Sequence, residues 1–419
     1  MTLQLTKEER AMADGARGPG VRRAMEILVK FAEAVGAERL VRVASAHTMP
    51  KEPPELLHEL TEGVADLGAP TTLHPCMAAF SPVNWRAMGL PAEFGEAELE
   101  RHQERLQDYR RCGFLQTFTC LPMLVGNLPR KGECVSWIGS GAQLLVNSIV
   151  GARCNRDGTV MTLAAAITGR APLYGMFLDE NRRGEVLVRF EGVDVGELTP
   201  AQLGAVGYHV GAIAGSRNVV MEGVPADIDL DRLKLLLAPL PVSGAVCLCH
   251  VVGVTPEAPT LEAALGGREP QETVVVRPED IRRSLAAFVG DGSAKADLAI
   301  FGCPHCTVHE VKTLAGLLSG RRLASGKRLW IGMPRQFHPL VTDMGYAAPI
   351  EAAGGVFASS CMATIPDAPL PEGVRVVATN SFKAAHYIVR LTKGRVKVLL
   401  EDMDRCVDAV CGARQGGAA

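Results

Sequence analysis

The sequence predicts an α/β protein of more than one domain. At 419 residues the chain is longer than one hydrophobic core organises, so about two or three domains are expected. In the second half, short β-branched and apolar runs alternate with amphipathic helical stretches, as βα units do. Those runs show little polar alternation, which suits strands buried on both faces of a parallel sheet.

The elements follow in order. Residues 6–36 read as helix: Thr6 caps it with Glu9 three residues on, and Ala24, Ile27, Leu28, Phe31, Ala32 and Val35 keep helical spacing after a Gly-Pro-Gly break at 18–20. Leu40 to Val43 is a short strand, followed by a loop at Ser45-Ala46-His47. A helix near 54–66 leads into Thr71 to Cys76, and residues 94–112 form a polar-faced helix before an extended pattern from Leu115 to Cys120. Ala142 to Val150 reads as a buried helix. The turn-like segment from Gly151 to Gly158 follows, then a small-residue helix from Thr162 to Thr168. Arg153, Asn155 and Arg156 in that turn suggest either a positive pocket or surface caps and ion pairs.

Val186 to Phe190 is a strand, and Gly204, Gly207 and Gly211 mark a close-packed helix or turn. Pro225 to Asp229 is a solvent-facing connection. Beyond it, strands are expected at Gly244–Val252, Leu298–Phe301, Leu329–Ile331, Val356–Ala358 and Val374–Ala378, with helices at 259–266, 278–288, 307–318, 336–345 and 381–391. The expected division is an N-terminal α/β region over 1–228, a C-terminal parallel α/β domain over 229–400 and a frayed tail over 401–419.

Composition narrows the function. The chain is 47% hydrophobic and 21% charged, as an ordinary globular protein is, and carries a net charge of −2 with no basic block. Aromatic content of 5% and that charge argue against a nucleic-acid partner. No apolar signal core opens the chain, and no run reaches the roughly 18–20 apolar residues a membrane helix needs. No membrane partner is expected, and the expected location is the cytoplasm. There the twelve cysteines are reduced thiols: metal ligands, catalytic groups or buried apolar side chains.

In an open parallel sheet ligands gather at the carboxyl ends of strands, where helix N-termini also point. Three loops of the second half sit there: Gly302-Cys303-Pro304-His305, Ser359-Ser360-Cys361-Met362 and Thr379-Asn380-Ser381-Phe382-Lys383. Two present a cysteine, whose thiolate a helix N-terminus favours; the third brings hydroxyls and a lysine able to hold a carboxylate or phosphate. Cys303 and Cys306 form a C-x-x-C, which reads as a redox pair or half a zinc site. His305 and His309, four apart, could share a helix face and bind metal, although capping and solvent-facing roles are commoner. Cys247 and Cys249 face one side of a strand and read as core.

A longer set of motifs is similar to a known family. Ser45-Ala46-His47, Asp66-Leu67-Gly68-Ala69-Pro70-Thr71-Thr72-Leu73 and Gly126-Asn127-Leu128-Pro129-Arg130 come first. They are followed by Gly151-Ala152-Arg153, Asn155-Arg156, Ala164 to Arg170, Leu178 to Arg182 and Gly253 to Glu257. Gly302-Cys303-Pro304-His305, Cys361-Met362 and Ala378-Thr379-Asn380-Ser381 with Lys383-Ala384-Ala385 complete the series. In this order, over nearly the whole length, the chain resembles the large, catalytic portion of the aconitase X family, iron–sulfur hydro-lyases distantly related to aconitase.

That resemblance implies an aconitase-like multi-domain architecture of parallel-sheet α/β domains. It also implies an iron–sulfur cluster held by Cys120, Cys303 and Cys361, of 2Fe-2S, 3Fe-4S or 4Fe-4S type. An iron left without a protein ligand takes the substrate's hydroxyl and carboxylate as a Lewis acid, and water is eliminated. Family members resemble dehydratases of cis-3-hydroxy-L-proline or of mevalonate 5-phosphate. They close the site with a smaller swivelling domain, fused or separate; this chain is expected to lack it and to work with a separate small swivel subunit. The expected catalytic residues are His47, orienting the leaving hydroxyl, with Ser45 and Lys383. Thr71, Asn155, Arg156 and Ser381 are expected to bind substrate, with Arg156 and Lys383 holding carboxylate.

Departures from the family pattern lie near this site. Leu121-Pro122-Met123 follows the first cysteine where Thr-Pro-Tyr is usual, and Gly139-Ser140-Gly141-Ala142 stands for Glu-Ser-Ser-Ala. Cys306, Cys154 and His74 replace Ala, Thr and Asn, and Ser359-Ser360 replaces Asp-Thr. They leave open a substrate other than that of the known members, with cis-3-hydroxy-L-proline the first expectation. They also leave open a non-catalytic cluster-binding or redox-sensing paralogue. A zinc protein using Cys303, Cys306 and His309 is the remaining alternative.

Overall fold

A computed structural model of the chain describes residues 3–75, 86–90, 92–288, 295–361 and 370–412. Cys76 and Met362 lie outside them. The N-terminal helix is split as its glycines require, into Lys7–Ala13 and Pro19–Ala34. Thr6 and Glu9 form the expected capping box, each side chain accepting the other's backbone N–H at 3.2 and 2.8 Å. The apolar stripe of the second helix, with Ala24, Met25 and Leu28 buried, packs on the small-residue helix Thr159–Thr168.

The strands of this first unit are β1 (Leu40–Arg42), β2 (Ala46–Thr48), β3 (Thr71–Leu73), β4 (Cys134–Trp137), β5 (Arg153–Cys154) and β6 (Arg170–Pro172). β1 and β6 form an antiparallel pair, and the others a parallel sheet in the order β3-β2-β4-β5. The expected loop at Ala46–His47 is therefore a strand: three residues are too few to show a period in sequence, yet all three are buried. Leu115 to Cys120 is not a strand; its one ladder contact among the described residues is a bridge from Leu115 to Thr72.

The second unit holds β7 (Val186–Phe190), β8 (Val219–Met221), β9 (Cys249–Val251) and β10 (Glu272–Val276), all parallel in the order β10-β7-β8-β9. This corrects the expected boundary at 228, because one sheet takes two strands from each side of it. Pro225 to Asp229 is a crossover within the unit. The glycines before it lie on one helix, Pro200–Ala214, and permit close approach: a Cβ on Gly207 would lie 2.0 Å from the Leu236 carbonyl oxygen.

The third unit is β11 (Leu298–Phe301), β12 (Arg328–Gly332), β13 (Val356–Ala358), β14 (Val376–Thr379) and β15 (Lys397–Leu400), parallel in the order β13-β12-β11-β14-β15. Its central strand is buried at every residue, as a sheet covered on both faces requires. The expected frayed tail is corrected over its first part. Met403–Val410 is a helix that buries Cys406, Val407, Ala409 and Val410 against this sheet. One apolar cluster runs from the second unit's helix into the third, joining Leu203, Val206 and Leu236 to Phe382, Ile388, Ile300 and Val377.

Candidate active site at the strand ends

The order of the third sheet reverses between β11 and β14, and the crevice at such a switch point is where open α/β sheets bind ligands. The chain leaves β11 at Gly302, with φ 94°. A Cβ there would lie 2.1 Å from the Gly332 carbonyl oxygen, so only glycine lets Cys303 turn over the end of β12. Across the crevice Ser381 caps the helix Phe382–Leu391, its Oγ accepting the Ala384 N–H at 3.1 Å and donating to the Cys303 carbonyl. Cys361 comes from the loop after β13. Cys120 comes from the first unit, beyond Phe118, which has a positive φ of 45° and carries the Arg335 guanidinium 4.5 Å over its ring.

These three cysteines converge. Cys303 lies in the electrostatic field of both Cys120 and Cys361, and Cys120 in that of Cys361. Burial pushes the Cys120 and Cys303 thiols up, with Lys383 opposing it. The lowered thiol expected at Cys303 from a helix N-terminus is thus corrected, because desolvation of the buried sulfur outweighs the helix end. Lys383 is the second residue of its helix. Burial would discharge it, but the negative charge of Cys303, Cys120 and Cys361 as thiolates raises it above the ordinary value. Its Nζ reaches the Ser140 hydroxyl at 3.5 Å.

Three histidines surround this group. His47 on β2 is fully buried, and its Nδ1 meets the Thr72 hydroxyl at 2.9 Å. Thr72 Oγ1 also accepts the Asn127 amide at 2.9 Å, and His47 Nε2 has no partner among the described residues. Burial drives His47 down to about 3, so the ring is neutral. His74 packs 5.4 Å from it, donates from Nδ1 to the Pro75 carbonyl at 3.2 Å and places Nε2 over Gly139, where a Cβ would be 2.6 Å away. Burial lowers His305 to about 4. Its Nε2 donates to the Ser360 carbonyl at 3.1 Å, and Nδ1 is an unpartnered acceptor among the described residues.

Other expected site residues fall elsewhere. Ser45 and Thr71 sit at the amino ends of β2 and β3, the opposite edge from His74 and Ser140. Ser45 Oγ accepts the Trp137 indole N–H at 3.1 Å and Thr71 Oγ1 donates to the Ala69 carbonyl at 2.8 Å. Both line a separate cavity of about 380 Å³ with Asn127 and Leu128. Asn155 is spent on its turn, donating to the Tyr174 carbonyl at 3.1 Å and accepting the Met176 N–H at 2.7 Å. Arg156 is exposed at the carboxyl end of β5, within the field of Cys247. Arg153 pairs with Asp179 and is not a pocket cation. Ser381 holds the cysteine loop.

The C-x-x-C does not make a zinc site. His305 precedes the helix Val308–Leu318 rather than sharing a face with His309, whose exposed ring meets Asp231 at 3.3 Å. Cys306 turns to the buried Lys234, Glu310 and Asp231. No three His, Cys, Asp or Glu side chains among the described residues close around a single ion. Thiols of this softness suit an iron–sulfur group, and bound metal would reverse the protonation that burial imposes.

Sequence reasoning placed His74 and Ser140 near this site only as departures from the family pattern, and overlooked Lys234. Lys234 did carry a signal. With Leu230, Leu233 and Leu237 it occupies the i, i+3, i+4, i+7 face of the helix Leu230–Leu237, a lysine where an apolar residue belongs.

Family models match nearly the whole chain: aconitase X first domain over residues 2–180, second domain over 184–286 and third domain over 296–412. The chain is 34% identical over 417 residues to a cis-3-hydroxy-L-proline dehydratase of Pseudomonas aeruginosa, covering 97% of this chain and 70% of that one. It is 37% identical over 403 residues to a phosphomevalonate dehydratase large subunit of Methanothermobacter thermautotrophicus, covering 92% and 94%. A crystal structure of Thermococcus kodakaraensis aconitase X in its holo form superposes with a TM-score of 0.83 at 32% identity, over 97% of this chain and 100% of that one.

Proposed function

The chain belongs to the aconitase X family of hydro-lyases, and we propose that it is an iron–sulfur-dependent dehydratase of a small hydroxy acid, working with a separate small swivel-domain subunit. The observation that supports this best is the convergence of three thiols from three segments beside a buried ammonium at a switch point. In this reading Cys120, Cys303 and Cys361 hold the cluster. When bound, it supplies a Lewis acid for the substrate's hydroxyl and carboxylate.

The chain's own residues do the rest. Lys383 binds the carboxylate, its charge favoured by the surrounding sulfurs once they are thiolates holding the cluster. His47, neutral and held by Thr72, presents its Nε2 to orient the departing hydroxyl. Ser381 and Gly302 hold the Cys303 turn. The large-subunit name of the Methanothermobacter relative supports the small-subunit partner.

The substrate we favour is cis-3-hydroxy-L-proline. Among the described residues the buried cations of the first two units are engaged: Arg170 by Glu8 and Glu9, Arg182 by Glu257, and Lys234 by Glu310. Lys383 stands beside the three thiols, which suits one carboxylate better than a phosphate and a carboxylate together. A second reading, the large subunit of a mevalonate 5-phosphate dehydratase, is favoured by the 94% coverage of the Methanothermobacter relative.

The test is anaerobic co-purification with a small swivel-type subunit and assay of both acids. Dehydration of cis-3-hydroxy-L-proline is expected. Turnover of the phosphorylated acid alone would transfer the assignment to the second reading, and turnover of neither by an iron-loaded complex would overturn both.

A further inference from the structure

One residue links all three cysteine loops. The His305 peptide N–H donates to Cys120 Sγ at 3.2 Å. Its ring Nε2 donates to the carbonyl of Ser360, the neighbour of Cys361, at 3.1 Å. Its chain position places it two residues from Cys303, with the Cys306 N–H next to it bound to the Gly332 carbonyl at 2.8 Å. The remaining polar group of that peptide, the His305 carbonyl, accepts from Lys234 Nζ at 3.3 Å.

Lys234 comes from the second unit and is 1% exposed. Its charge is compensated by Glu310, with Asp231 Oδ1 at 3.8 Å. Glu310 also accepts the Thr307 N–H at 2.9 Å, and Asp231 Oδ2 accepts the Thr307 hydroxyl at 2.9 Å. A buried ion pair is a poor source of stability, since its desolvation offsets its attraction. Here it fixes a geometry, because every partner lies on the segment 305–310 or on the helix that holds Lys234.

We propose that His305, clamped by the Lys234–Glu310 pair, is the positioning residue that holds the three cysteine loops in register, and that its N–H to Cys120 tunes the group bound there. This rests on the ligand set of the preceding section. A donor to a ligating sulfur withdraws electron density and raises the potential of an iron–sulfur centre. Release of the clamp loosens that bond, so the potential falls and the metal is lost more readily.

The test compares anaerobically purified full-length variants by iron per chain after desalting, visible spectrum, midpoint potential and Tm. The double variant Lys234→Met, Glu310→Gln removes both charges together, and glutamine still completes the cap at Thr307. It is expected to fold, to lose iron at least about twofold and to move the potential of the remaining centre to more negative values. Lys234→Arg keeps the cation and should match the wild type. Should the double variant not fold, the comparison of His305→Gln with His305→Leu decides. Glutamine can still donate to Ser360 and should retain the metal that leucine loses. Full iron with an unchanged spectrum and potential in the double variant, or in His305→Leu, overturns the clamp alone. A wild type that holds no iron overturns the ligand set and the clamp with it.

Discussion

The chemistry rests on individual side chains whose surroundings distinguish them from others of the same kind. Cys361 and Cys306 both lie near strand ends, but the first shares a field with Cys303 and Lys383 while the second faces Lys234 and Glu310. Cys361→Ser is therefore expected to abolish the visible absorbance of the anaerobic protein, and Cys306→Ala to leave it intact. Loss of colour in the second variant would reverse the choice of ligands. Lys383→Met should leave bound iron measurable while kcat/KM falls by about 10- to 100-fold, the worth of one charge-assisted bond. An unchanged KM for the hydroxy acid would remove Lys383 from substrate binding.

The buried histidines make a separate prediction. His47 and His305 are held near 3 and 4, below the 6.5 of an unfolded histidine. Between these values and 6.5 the unfolded chain binds protons that the folded rings refuse. The stability they contribute is therefore present above about pH 6.5 and is lost as pH falls toward 4 and then 3. At pH 5 each costs about 2 kcal/mol, at about 1.4 kcal/mol per unit. Urea denaturation at pH 7 and pH 5 should show the loss, and His47→Gln should shrink it; an equal loss in that variant would contradict the neutral buried ring.

At the scale of elements, the site is made by where strands end. Gly302 is the sharpest case, because its backbone is left-handed and the Gly332 carbonyl occupies the place of a Cβ. Gly302→Ala should destabilise by more than about 1 kcal/mol from the backbone alone, with the clash added, and should lower bound iron. Wild-type Tm and iron in that variant would show that the turn tolerates displacement.

The cysteine loops at 303 and 361 and the lysine loop at 383 were legible in sequence because four of the third unit's five strands read as apolar runs that fix its phase. The first unit gave no such phase. β2 and β3 are three residues each, so nothing in sequence showed that Ser45 and Thr71 stand at the amino ends of their strands and His74 beyond a carboxyl end. The role of Lys234 was hidden for a different reason: the His305 carbonyl and Glu310 are more than seventy residues away.

At the scale of the whole molecule, three parallel sheets from successive stretches of chain bring their loops together. Cys120 belongs to the first, and Cys303 and Cys361 to the third. The second supplies the helix Leu230–Leu237, which ties them through Lys234. The family resemblance was legible in motifs distributed over nearly the whole length, but the division into units was not. A sheet that takes β7 and β8 before residue 228 and β9 and β10 after it leaves no compositional mark at the crossing. The last helix was missed because its apolar face of Cys406, Val407 and Val410 is short and lies next to a Gly-rich end.

In the proposed function, these thiols hold an iron–sulfur group on which a hydroxy acid loses water. Its most direct measurement is iron, acid-labile sulfide and zinc per chain in the anaerobically purified wild type. Iron and sulfide in comparable amounts, with visible colour, are predicted; a colourless protein with stoichiometric zinc would contradict it.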